Sequence, residues 1–377
     1  MKIGILTLPL QANYGGILQA YALQTVLERM GHEVVVFQTY YDGVRKISPK
    51  VFPLVLIKRL LRKCFINHST PVFWETKKRK ETPILRKNTD KFIEQYIHCL
   101  HVNNLKEVSS NDFDAIIVGS DQIWRPEYVK RLWKTDIQDA FLRFAEGWSI
   151  KRIAYAASFG MDNWLLSHEE TDECSRLAKA FDAISVREAS AVKLCSDNLG
   201  VTAQHVLDPT ILLEAEDYLK LIDDTTKNEI NKGVFAYILD ETPEKLSLVA
   251  RIAHDYGMKQ YSISINSMDY SKSPEDRAYP SVESWLKCFH DANFVVTDSF
   301  HGSVFSIIFR KPFYAIGNAS RGMARFNSFL GMLNLGGNMI DERQNKIPQI
   351  DNRIYEESQV IIDKYRDESM RYLKESL

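Results

Sequence analysis

Short apolar runs closed by turn residues alternate along this chain with stretches whose apolar positions recur every three or four residues. The first pattern marks buried strands and the second amphipathic helices. Residues 2–8 are such a run, a loop covers 9–16, and helical spacing over 16–30 ends at Gly31, a C-terminal glycine cap. Residues 33–37 supply the next strand. The run recurs at 113–118, 152–157, 183–186 and 201–207, with a helix predicted over 167–181. A polar stretch at 223–232 interrupts it. Then the alternation restarts with strand 234–239, helix 243–256, strand 259–265, a loop rich in Ser, Pro and Asp at 266–280, and helix 282–290. Such alternation predicts α/β architecture, with mostly parallel sheets and helices on both faces.

Residues 294–317 concentrate the chemistry. An apolar run at 294–296 leads into the polar cluster 297–299, then into helical spacing that Pro312 stops before a second strand begins. His301 falls at the helix start beside Ser299, Gly302 and Ser303. A helix N-terminus offers unpaired N–H groups and partial positive charge to an anion, and histidine is the side chain that ordinarily titrates near neutral pH. The segment therefore reads as an anion pocket with a built-in proton donor. The plainer reading is that Asp298 or Ser299 caps the helix and His301 fills its first turn.

Other predicted strands end in polar residues at the same edge: Gly119-Ser120-Asp121-Gln122, Ser158-Phe159-Gly160, Arg187-Glu188 and Asp208-Pro209-Thr210. Open α/β sheets bind ligands there. Ser120, Asp208 and Thr210 can each be explained as helix caps. Arg187 is harder to explain so, since arginine caps a helix start poorly and clamps anions well. Asn13-Tyr14-Gly15-Gly16 lies at the same edge without forming G-x-G-x-x-G, and its glycines also suit a tight turn.

A length of 377 residues suits two domains. These are expected over 1–222, carrying a basic, helical insertion at 44–96, and over 233–350. A helix at 354–377, with an apolar stripe through Tyr355, Ile362, Tyr365 and Leu373, is expected to return to the first domain. The net charge of −1 gives no field suited to nucleic acid. Five scattered cysteines form no Cys-x-x-Cys pair, and no cluster has metal-ligand spacing. With a strand starting straight after Met1, they point to a cytoplasmic protein. The apolar stretch 51–61 is broken by Pro53 and Lys58-Arg59 and is too short to span a bilayer. The densest charge run, Lys77-Lys78-Arg79-Lys80, is either a solvated helix face or a peripheral contact with an anionic membrane or acidic polysaccharide.

Taken together, the loops named above resemble the polysaccharide pyruvyl transferase family over nearly the whole chain. The resemblance rests on Asn13-Tyr14-Gly15-Gly16 with Leu18-Gln19-Ala20, on Gly119-Ser120-Asp121-Gln122-Ile123-Trp124 and on Tyr155-Ala156-Ala157-Ser158-Phe159-Gly160. It extends to Val186-Arg187-Glu188, Asp208-Pro209-Thr210 and Asp298-Ser299-Phe300-His301-Gly302. It implies two Rossmann-like domains facing across a cleft, the GT-B-like arrangement. It also implies transfer of pyruvyl from phosphoenolpyruvate, a co-substrate rather than a bound cofactor, to two hydroxyls of one sugar in a polysaccharide or a lipid-linked precursor. His301 would be the general acid. Arg187 and Arg325, assisted by Ser299, Gly302 and Ser303, would hold the donor, while Asn13, Tyr14, Gly15, Gly16, Ser120 and Asp121 would face the acceptor. No metal is required. The chain departs from well-studied relatives in one respect: serine, Ser299, stands where they have arginine. Arg325 or Arg321 would then supply the missing charge, or the donor differs. The competing readings are a GT-B glycosyltransferase using a nucleotide sugar, for which no carboxylate pair suited to a ribose is evident, and a catalytically silent carbohydrate-binding relative.

Overall fold

The computed structural model describes residues 1–39, 48, 51–65, 72–222, 232–317, 323–344, 347, 348, 350 and 353–377. Nearly all of the polar stretch 223–232, and Arg321, lie outside them.

The first half opens with β1 (Lys2–Leu6), α1 (Tyr14–Arg29) and β2 (Glu33–Thr39). The basic insertion forms α2 (Phe52–Phe65) and α3 (Trp74–Tyr96), followed by β3 (Cys99–Val102) and β4 (Ala115–Gly119). After the short α4 (Pro126–Tyr128) come β5 (Lys151–Ala157), α5 (His168–Ala178), β6 (Ala183–Val186) and α6 (Ala189–Leu194). β7 (Gln204–His205) and α7 (Ala215–Leu219) complete it. The second half runs β8 (Val234–Tyr237), α8 (Pro243–Asp255), β9 (Gln260–Tyr261), α9 (Val282–Asp291), β10 (Phe294–Thr297) and α10 (Phe300–Ile308). It closes with β11 (Phe313–Ile316), α11 (Ala324–Met332), β12 (Met339–Ile340) and α12 (Arg353–Ser376).

Two parallel sheets result, in the orders β3-β2-β1-β4-β5-β6-β7 and β12-β11-β10-β8-β9. Helices cover both faces, so the central strands are apolar at successive positions rather than alternating with polar ones. Ile3, Ile5 and Ile117 enter one core and Leu6, Ile116 and Val118 another. The first of these cores is shared, for it also contains Phe235, Val295 and Phe313 of the second sheet. α1 lies within it and is buried at most positions, which explains its weakly amphipathic sequence. Tyr14 crosses to the second half, stacking on Trp285 at 5.4 Å and donating its hydroxyl to the Pro280 carbonyl at 2.9 Å.

Strand order reverses between β1 and β4 in one sheet and between β8 and β10 in the other. Ligand crevices form at such switch points, and here Asn13, Asp121 and His301 sit just beyond those strands. Two apolar runs yield less strand than their length suggests. Only Gln204 and His205 pair in β7, and only Gln260 and Tyr261 in β9. β9 is an edge strand, and the residues after it, including Ile263 and Ile265, turn away to become cleft wall.

Candidate active site

A cleft of about 900 Å³ opens between the carboxyl ends of the two sheets. Asn13, Tyr14, Gly16, Asp121, Ser299, His301 and Arg325 line it, and Gly15, Ser120, Arg187, Gly302 and Ser303 do not.

His301 occupies the first turn of α10 and is 6% exposed. It also abuts the first turn of α1: a Cβ on Gly15 would fall 2.0 Å from its Nδ1. Glycine at 15 is thus what allows the imidazole to sit against a helix start from the opposite half. Nε2 points the other way, 3.6 Å from Asp208 Oδ2, with no hydrogen-bond partner among the described residues. Asp208 is the residue that sequence reasoning left as a cap. It does cap, through Oδ1, which accepts from the Thr210 amide at 3.0 Å and hydroxyl at 2.7 Å. Its second oxygen receives Arg187 at 2.6 Å and the Ser120 hydroxyl at 3.5 Å. Burial pushes the Asp208 carboxyl up, but His301 and Arg187 together hold it well below the usual carboxylate range.

Arg187 was expected to be an open anion clamp, and its geometry differs. Its side chain is 1% exposed and its guanidinium is committed to Asp208 and, at 3.4 Å, to Asp121. Asp121 is buried, which raises its carboxyl, yet Arg187, His301 and Arg325 together lower it. It also accepts from Asn13 Nδ2 at 3.5 Å. Beside it, Glu188 receives Ser158 Oγ and the amides of Phe159 and Gly160 on one oxygen. Burial raises that carboxyl despite the nearby arginine.

Arg325 does line the cleft. Its guanidinium lies over the Phe300 ring at 5.3 Å, as that of Arg187 does at 5.0 Å, an arrangement that favours cations on an aromatic face. Burial and the like charge of Arg187 push its pKa down to about 10, so it stays charged at neutral pH. Arg131, also unforeseen, lines the cleft above the Tyr128 ring at 4.9 Å.

Three of the expected donor residues make local structural contacts. Ser299 Oγ accepts from the Gly302 amide at 3.3 Å, which is the N-cap of α10. Ser303 Oγ donates back to the Ser299 carbonyl at 3.5 Å. Gly302 packs so closely on β10 that a Cβ would lie 2.2 Å from Thr297 Oγ1. Ser120 donates its amide to Gln19 Oε1 at 3.0 Å, and Gln19 in turn donates to the Gly16 carbonyl at 2.9 Å. Asp298 accepts the Leu239 and Asp240 amides and pairs with buried Lys245 at 2.7 Å, fixing the loop after β8. Among the described residues no group of three or more His, Cys, Asp or Glu could hold a metal ion.

No curated protein matches the chain. Among solved structures it is similar to the S. aureus protein MnaA with UDP, at 12% identity and a TM-score of 0.45, covering 98% of this chain and 90% of that one. It is similar to UDP-GlcNAc 2-epimerase from Neisseria meningitidis bound to UDP-GlcNAc, at 11% identity and a TM-score of 0.45, covering 99% and 94%. The E. coli heptosyltransferase WaaC with ADP is similar at 13% identity and a TM-score of 0.40, covering 97% and 100%. The family model for polysaccharide pyruvyl transferase matches residues 13–320, a span running from Asn13 in the cap of α1 through Asp208 and His301. The chain belongs to the polysaccharide pyruvyl transferase family.

Proposed function

We propose that the protein transfers a pyruvyl group from phosphoenolpyruvate to two hydroxyls of one sugar, in a polysaccharide or its precursor, and closes a cyclic ketal. The observation that carries this reading is the placement of His301, in the cleft with Asp208 behind Nε2 and a helix start from each half beside it. Asp208 occupies the Nε2 side of the ring and leaves Nδ1 to work, so one nitrogen faces a fixed carboxylate and the other the reactants.

His301 gives the Nδ1 proton to the methylene carbon of the donor, making the adjacent carbon electrophilic. A sugar hydroxyl adds there, the carbon–oxygen bond to phosphate breaks, and the second hydroxyl adds to close the ring. Of the two protons the hydroxyls release, one restores His301 and the other leaves with phosphate. Arg325, charged and in the cleft, takes the place of the arginine that relatives carry at the position of Ser299 and holds a donor anion. Arg187 holds Asp208 and Asp121 in place.

The test is direct. Phosphoenolpyruvate at 100 times its dissociation constant should stabilise the protein by about 2.7 kcal/mol, and nucleotide sugars should not. With an accepting glycan, mass spectrometry should show the added pyruvyl ketal and an equal yield of phosphate. Stabilisation by a nucleotide sugar, with none by phosphoenolpyruvate, would replace this reading with a glycosyltransferase.

A further inference from the structure

We propose that α2, with the start of α3, is a docking surface for an anionic lipid bilayer. Leu54, Ile57, Leu61 and Phe65 follow one another at intervals of three, four and four, so they share one face of α2. They are 70%, 55%, 54% and 80% exposed. The opposite side is fixed. Arg59 grips Glu75 through both oxygens, at 2.7 and 2.5 Å, and lies over the Trp74 ring, while Val55 and Leu56 are half-buried. The helix is therefore held with its apolar stripe outward.

Charge identifies the occupant. Residues 51–80 contain eight Lys and Arg against a single acid, Glu75, in a chain whose net charge is −1. That acid is already paired with Arg59. Lys58 and Lys63 on α2 and Lys80 on α3 are exposed, whereas Lys77 is drawn to Glu81 and to the Tyr270 ring. An apolar stripe flanked by lysines is the pattern of a helix lying in the plane of a membrane interface. The basic excess would be attracted by anionic headgroups and repelled by a second copy of the same face. No described helix is long and apolar enough to cross a membrane, so the contact is peripheral.

The surface is tied to the cleft. α3 donates Arg86 to the Leu10 carbonyl at 3.2 Å and Asn88 to the Tyr279 carbonyl at 2.7 Å, and its Glu81 pairs with buried Arg277 at 2.8 Å. Leu10 and Tyr279 both line the cleft. A bilayer under α2 would thus place the cleft beside a membrane-borne acceptor, and this last step alone rests on the pyruvyl-transfer reading.

Flotation of the full-length protein with vesicles tests the docking. Expected is binding to phosphatidylcholine mixed with an equal amount of phosphatidylglycerol and none to phosphatidylcholine alone. Leu61→Ser with Phe65→Ser, and separately Lys58→Glu with Lys63→Glu, should each weaken it by at least about tenfold. Both variants should keep the parental melting temperature, because the residues are exposed. Absence of binding to the mixed vesicles, or binding that survives both pairs of substitutions, overturns the proposal. So does a dimer in light scattering that Leu61→Ser with Phe65→Ser dissociates, which would give the face to a second copy. No substrate is present, so failure here leaves the transfer reaction untouched, and failure of that reaction leaves the vesicle result standing.

Discussion

The two sheet edges that meet at the cleft are built on opposite principles. On the first, Asp121, Arg187, Glu188 and Asp208 are buried together and bound to one another or to backbone amides. On the second, the charged pair Asp298–Lys245 serves the loop after β8, Ser299 caps α10, Phe300 lies under the Arg187 guanidinium, and His301 reaches across to Asp208. One edge supplies a rigid set of charges and the other supplies the imidazole that faces it. Charges fixed in advance need no reorganisation when charge develops, whereas a proton donor, the role proposed for His301, must change state.

The sharpest way to break the comparison is His301→Gln. If the second edge carries the proton, turnover falls about 10²–10⁴-fold while the melting temperature is kept. A histidine that only fills the turn would give the reverse pattern when both are measured on one preparation. Next is Asp208→Asn, which leaves buried Arg187 short of a carboxylate. Urea unfolding should show a loss of about 3–5 kcal/mol, and a loss under 1 kcal/mol would show that the first edge is not the rigid one. The parental protein should also lose this contribution in acid. The folded pKa of Asp208 is depressed below its ordinary 3.8, so its stabilisation is complete above 3.8 and disappears as pH falls through the window beneath it.

A smaller effect is expected from Gly15→Ala, whose methyl would displace His301. Overpacking of this kind costs about 1–3 kcal/mol, and turnover should fall as well. Gly302→Ala, crowding Thr297 instead, should cost similar stability with less of the effect on turnover that comes through displacing Nδ1. The smallest effect belongs to Glu188. Its folded pKa is raised above 4.5, so between that value and the raised one the native state keeps a proton that the unfolded chain has released. Stability then declines as pH climbs through this window. Glu188→Gln should flatten the decline, whose slope within the window is roughly 1.4 kcal/mol per pH step of one. An unchanged slope would mean that another group sets it.

Some of this was legible in the sequence for a physical reason. Buried parallel strands and helix starts are local patterns, so both α/β units, the capped start of α10 and His301 could be read directly. Asp208 could not, because its cap is local and its second oxygen meets partners brought together only by folding. Arg187 was rightly placed at a strand end, but the two carboxylates that occupy it come from other strands' loops. Gly15 reads as a turn residue until the opposite half is in place. Strand lengths at β7 and β9 were overread because apolar residues also suit core positions outside a ladder, as Val206 and Leu207 do, and a cleft wall, as Ile263 and Ile265 do.

The last helix constrains how such a molecule can move. Near its start, α12 is bonded to the second half: the Tyr355 hydroxyl receives the Phe313 amide and Asn338, and Ser358 donates to the Leu333 carbonyl. Further along it is bonded to the first: Arg366 donates to Ile211, Ser369 receives the Leu207 amide, and Tyr372 donates to Ala154. Twenty-four residues of helix make a strut about 36 Å long, riveted to both halves. Jaws joined by such a strut cannot swing wide without bending it or breaking its rivets. Because one rivet is the neighbour of Asp208, any gaping of the halves would pull directly on the carboxylate that faces His301.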